Sequence, residues 1–203
     1  MPLKTIFMHY KNNVLLSIIF TWVLTGCIVI MILLMPNFMT NIFSTQGYLR
    51  VDFIHMQMIC VFLMCFGCVV YGYLSDKFGL EKISIIFGAI FCVAVSTYFY
   101  EVYNNTSFEN TRMFYFVAGF FGCIGPAGAP FFTIKLFPSN VKFTGISFSY
   151  NVAYAISGGV TPILATFANE KFPMLLTYYM LGLGIIFIIS TIIFINKKSK
   201  KFS

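Results

Sequence analysis

"VVYGYLSDKFGLEKISII", residues 69–86, sets Asp76, Lys77, Glu81 and Lys82 between two long apolar runs, with Gly72 and Gly79 spaced around them. A hydrocarbon core is crossed by about 20 apolar residues in a helix, and each flanking run is long enough for that. The charged stretch therefore reads as the tight connection of a membrane hairpin. The rest of the chain agrees: of 203 residues, 59% are hydrophobic and 9% charged, and the mean hydropathy is +0.88. A water-soluble domain carries about a quarter charged residues, so this chain cannot cover a surface facing water.

Working outward from that hairpin, six spans are expected, at roughly 14–35, 53–74, 83–100, 113–134, 144–167 and 174–195. Lipid leaves unpaired backbone groups too costly, so these runs must be helices. A membrane barrel would need short alternating strands, and the runs do not alternate. The expected fold is all-α, a single six-helix transmembrane bundle over residues 1–203. The first run is too long for a cleaved signal peptide, and no small-x-small site follows it; the first alanine is Ala89.

Six spans place both termini on one side, and the basic residues sort accordingly. Lys4, Lys11, Lys77, Lys82, Lys135, Lys142, Lys197, Lys198, Lys200 and Lys201 fall on the terminal side, against Arg50, Arg112 and Lys171 on the other. By the positive-inside rule the termini are cytoplasmic. The net charge of +7 is then a topology signal with a basic tail suited to anionic lipid, and nucleic acid is excluded as a partner. Asn104 opens an N-x-T pattern in an outer loop, which has meaning only in a eukaryotic secretory route.

No enzyme is expected. Paired mid-membrane aspartates and His–Glu metal sites are missing, no His or carboxylate cluster has metal-ligand spacing, and no cofactor is called for. Cys65 and Cys68 form C-x-x-C inside a span, where small soft packing residues are the simpler reading. Asp52 and His55 at the start of the second span read as a helix cap with an interfacial residue in preference to a proton relay.

Polar residues at membrane depth are the usual mark of function. In "TGISFSYNVAYAISGGVTPILATF", 144–167, Ser147, Tyr150, Asn151, Tyr154, Gly158 and Thr161 share about a third of the helix circumference at 100° per residue. Such a stripe serves either helix–helix contact or a wet cavity. Two tyrosines and an asparagine are bulky for close packing, which favours the cavity. Gly158, Gly159 and Pro162 offer a place to bend or unwind. Thr21 and Thr25, with Ser17 before them and Trp22 beside them, form a second candidate stripe, unless the hydroxyls bond back to their own helix. "AGFFGCIGPAGAP", 118–130, reads as a kink around Pro126, either a moving joint or a fixed packing feature.

"GYLSDKFGLEK" resembles the signature loop of the major facilitator superfamily, G-x-L-[AS]-D-[RK]-x-G-R-[RK]-[RK]. Gly72, Leu74, Ser75, Asp76, Lys77, Gly79 and Lys82 match, while Leu80 and Glu81 stand where basic residues are usual. Residues 135–167 resemble "ELFPTRVRYTGxxxxYNxxxAxFGGxxPxxAT" of the metabolite:proton symporter group, which includes proline/betaine, oxoglutarate and shikimate carriers. Leu136, Phe137, Pro138, Val141, Thr144, Gly145, Tyr150, Asn151, Gly158, Gly159, Pro162, Ala165 and Thr166 match; Lys135, Asn140, Phe143 and Ser157 depart, and Lys142 keeps a charge but not Arg geometry.

The resemblance implies the C-terminal six-helix half of a twelve-helix carrier in a bacterial inner (plasma) membrane. It implies proton-coupled transport of a small polar solute, an osmolyte such as proline or betaine or an organic acid. The substrate cavity would draw on Thr21, Trp22, Thr25, Ser147, Tyr150, Asn151, Tyr154 and Thr161, and Gly72, Asp76, Lys77, Gly79 and Lys82 would form a cytoplasmic gating loop. The other half would come from a separate N-terminal half or a second copy of the chain. The alternative is a non-transporting remnant of a split gene or a membrane assembly partner. No span carries a mid-membrane Lys or Arg, which leans the solute towards zwitterions.

Overall fold

A computed structural model describes residues 2–43, 47–104, 107–170 and 174–199, without the side chains of 2, 168–170, 198 and 199. Lys171, Lys200 and Lys201, the Lys198 side chain, and Asn105 and Thr106 of the N-x-T pattern lie outside that description. Among the described residues there is no strand. The helices are α1 (Pro2–His9), α2 (Lys11–Ile28), α3 (Met35–Phe43), α4 (Arg50–Phe78), α5 (Leu80–Asn104), α6 (Phe108–Phe121), α7 (Gly128–Leu136), α8 (Lys142–Glu170) and α9 (Met174–Ser199).

Five stretches are long and apolar enough to cross a membrane: Lys11–Phe43, Arg50–Phe78, Leu80–Asn104, Phe108–Leu136 and Met174–Lys197. The fifth expected span, 144–167, falls in α8, which is an unbroken helix of 29 residues but is not among these stretches. Its hydroxyl, tyrosine and asparagine side chains dilute the apolar run. The first and fourth stretches form the centre, with 61% of their most apolar window buried against 28% for α4. The outer face of α4 shows Met58, Phe62, Phe66 and Val69, an apolar stripe suited to lipid tails. Around the centre, Phe20 stacks on Phe132 at 4.5 Å, and Phe187 and Phe194 meet Phe132 edge-on.

The first span is not one regular helix over 14–35. Between α2 and α3 the chain runs as a π-helix, Val29–Leu34, and Pro36 explains it. A proline lacks the N–H and crowds the carbonyl four residues back. Here Met35 N–H reaches back five residues to the Ile30 carbonyl. The Met31 and Ile32 carbonyls would look to Pro36 for a donor it does not have. Two neighbouring helices supply donors: Tyr115 Oη of α6 donates to Met31 O, and Gln57 Nε2 of α4 donates to Ile32 O at 2.7 Å.

The fourth span breaks where Gly122–Ile124 tightens to a 3-10 turn and Gly125 N–H donates to Gly122 O at 3.1 Å. Pro126 cannot continue the α ladder, and the glycines let neighbours close in. A Cβ on Gly125 would sit 3.1 Å from the Leu24 backbone, and one on Gly128 would sit 2.6 Å from the Phe187 ring.

Candidate functional site

The residues read as a cavity stripe divide between two environments. α8 is buried along Gly145, Ser149, Ala153, Ser157, Thr161 and Ala165, every fourth residue, a row that begins with Val141 just before the helix. A row at that spacing is inclined about 26° to the helix axis, so this small-residue seam crosses its neighbours obliquely, packing mainly on α2. Thr161 belongs to the seam. Tyr150 and Ser147 are half-buried, while Asn151, Gly158 and Tyr154, 46% exposed, face away from the bundle. The Tyr150 and Tyr154 rings stack with centroids 5.9 Å apart. Asn151 Nδ2 donates to the Ser147 carbonyl at 2.8 Å, leaving its amide oxygen for another partner.

Thr21 and Thr25 satisfy themselves within their own helix. Both are buried, and their hydroxyls donate back to Ser17 O at 2.9 Å and Thr21 O at 3.0 Å. Trp22 and Thr161 are joined through a residue the sequence reading passed over. Trp22 Nε1 donates to Tyr179 Oη at 2.8 Å, and Tyr179 Oη bonds Thr161 Oγ1 at 2.9 Å. This chain ties α2, α9 and α8 together. A tyrosine in an apolar run, next to a second tyrosine, was the available signal for Tyr179; Gln57, a lone amide in the second span, was the signal for the π-helix clamp.

Gly158, Gly159 and Pro162 lie inside continuous α-helix, with no local unwinding. Pro162 lacks the N–H that would reach the Gly158 carbonyl, and Gly158 is exposed. A Cβ on Gly158 or Gly159 would meet nothing within 4 Å. Pro126, by contrast, sits in the break of the fourth span.

The charged connection is shorter than a loop. α4 runs to Phe78 and α5 starts at Leu80, with only Gly79 between them at φ 95°, a conformation that favours glycine. Asp76 therefore sits in the last turn of α4, where the helix dipole opposes a carboxylate, and Glu81 takes the favourable first turn of α5. Asp76, Lys77 and Lys82 are exposed, and among the described residues Asp76 pairs with neither lysine. Lys77 Nζ lies 5.3 Å from the centre of the Phe78 ring. Gly72 meets no close neighbour: a Cβ there would find open space.

Asp52 is the third residue of α4 and not its cap; its Oδ2 accepts from the Leu49 N–H at 2.9 Å. With His55 it lines an outer pocket of about 410 Å³ beside Tyr48, Phe108 and the Glu109–Arg112 ion pair. Among the described residues no cluster of His, Cys, Asp and Glu could hold a metal.

No protein-family model matches the chain. Similar curated proteins come from Staphylococcus aureus strains COL and MSSA476, each named "Putative proline/betaine transporter". Each is 27% identical over 135 residues, which is 65% of this chain and 29% of the relative. The chain thus matches less than a third of those relatives' length. Apolar helices together with bacterial transporter relatives describe a membrane-embedded, transporter-like protein.

Proposed function

We propose that this chain forms one side of a secondary carrier for a small zwitterionic solute of the proline or betaine kind, driven by protons. The observation that carries the reading is the bare polar face of α8. Asn151 and Tyr154 at membrane depth are costly against lipid, whereas they suit a water-filled path. The stacked Tyr150 and Tyr154 rings offer π-faces to a quaternary or secondary ammonium. In this reading α8 also spans the membrane as the sixth helix of a single bundle, both termini are cytoplasmic, and the membrane is the bacterial plasma membrane. A second set of helices, in the same polypeptide or another, closes the cavity opposite α8. Asp76, Lys77 and Lys82 act from the cytoplasmic end as a latch that holds one state until solute shifts the balance.

The test is uptake of labelled proline and glycine betaine into proteoliposomes holding the chain with its companion helices, with and without an inward proton gradient. Gradient-stimulated uptake that falls at least tenfold in Tyr154→Ala, with folding retained, supports the reading. Absence of flux for both solutes in well-folded protein refutes it and leaves a non-transporting membrane subunit. Asp76→Asn tests the latch: unchanged transport together with unchanged labelling of a cytoplasmic cysteine would overturn that role.

A further inference from the structure

On the flank of the bundle, α2 and α9 leave a groove of about 540 Å³ walled by Ile19, Trp22, Val23, Ile186 and Ile189. Gly182 holds it open, since a Cβ there would meet nothing within 4 Å. At Ile193 the groove meets a second cavity of about 310 Å³, lined by Asn12, Leu16, Asn196 and Lys197. Lys197 and Asn196 are exposed, and Lys197 Nζ donates to Asn13 Oδ1, which fixes the ammonium at the mouth. Among the described residues no carboxylate lines either cavity.

The two parts have the proportions of an amphiphile. From Tyr178 to Ile193 the groove's α9 wall runs about 22 Å, enough to take a hydrocarbon chain through the depth of one leaflet, about 15 Å. Its walls are branched aliphatic and aromatic side chains, and its open end presents one ammonium and two side-chain amides. A docked helix of that length, about 10 Å across, needs more than about 1,200 Å³, over twice what is there. A single hydrocarbon chain fits, and the cation at its end selects a negatively charged headgroup.

We propose that the α2–α9 groove binds one acyl chain of an anionic phospholipid, with its phosphate held by Lys197, Asn12 and Asn196. Trp22 lies in the groove wall and is the only tryptophan of the chain, so its fluorescence reports occupancy directly. The protein is reconstituted in phosphatidylcholine nanodiscs. Small fractions of phosphatidylglycerol or phosphatidylcholine are then added, each brominated in the distal half of one acyl chain. Brominated phosphatidylglycerol should quench Trp22 saturably, at about one-fifth the mole fraction that brominated phosphatidylcholine needs, the equivalent of about 1 kcal/mol for one lysine at an anionic headgroup. Lys197→Gln should bring the two lipids together, and Gly182→Leu, which fills the groove, should abolish the saturable phase. Equal quenching by both lipids in the unaltered protein overturns the proposal, as does a preference that survives Lys197→Gln. Quenching by neither lipid means that protein closes the groove, and overturns it as well.

Discussion

The fourth span and α8 are both rich in glycine, proline and small residues, yet they use them in opposite ways. At Gly125 and Gly128 there is no room for a side chain, because Leu24 and Phe187 already occupy it. At Gly158 and Gly159 a Cβ would meet nothing within 4 Å among the described residues. The first pair lets one bundle close on itself. The second pair lies on a surface that this bundle does not cover, next to Asn151 and Tyr154. A small residue in a membrane helix thus marks close approach, but only the structure tells whether the approaching body is already present.

The sharpest way to break this contrast is Gly125→Val. The branched side chain would strike backbone, not a flexible side-chain tip, and should destabilise the bundle by about 3 kcal/mol, read as lowered thermal stability in detergent. A wild-type melting curve would mean that the fourth span is not packed as described. Gln57→Leu comes next: it leaves the Ile32 carbonyl beside Pro36 without a donor and should cost about 1–3 kcal/mol. Gln57→Glu at low pH, where the acid can donate, should recover part of that loss. Tyr179→Phe removes both bonds that join Trp22 and Thr161, and at about 0.6 kcal/mol for each membrane hydrogen bond the cost should be about 1 kcal/mol, with a changed Trp22 emission maximum. Gly158→Ala should be smallest and of opposite sign, a gain of up to about 1 kcal/mol from helix propensity, while the uptake that the proposed function calls for falls. Loss of bundle stability in Gly158→Ala would erase the distinction between the two glycine sets.

Much of the helix layout was legible because lipid demands long apolar runs, and five of the expected spans fall within such stretches, with different bounds. What stayed hidden has local causes. Counting apolar residues does not see that Pro36 removes a donor, so the π-helix at 29–34 and its clamps from Gln57 and Tyr115 were not foreseen. On α8 the 100° wheel grouped Thr161 with Tyr150 and Asn151. The true contact follows an inclined every-fourth row, which drifts around the helix and takes Thr161 into the seam. Thr21 and Thr25 looked like a polar stripe, but a buried threonine in a helix can satisfy itself on the carbonyl one turn back. The charged stretch reads as a connection between spans, yet α4 runs on to Phe78, so Asp76 and Lys77 belong to its last turn.

That one-residue connection has a mechanical consequence. α4 and α5 are 29 and 25 residues long and meet through Gly79 alone, so the pair has no slack with which to move separately. A pull applied to Asp76 or Lys77 is delivered to both arms of the hairpin together, as a load on the apex of a truss is delivered to both its legs. Lengthening the joint by one flexible residue would uncouple the arms while leaving every charge in place.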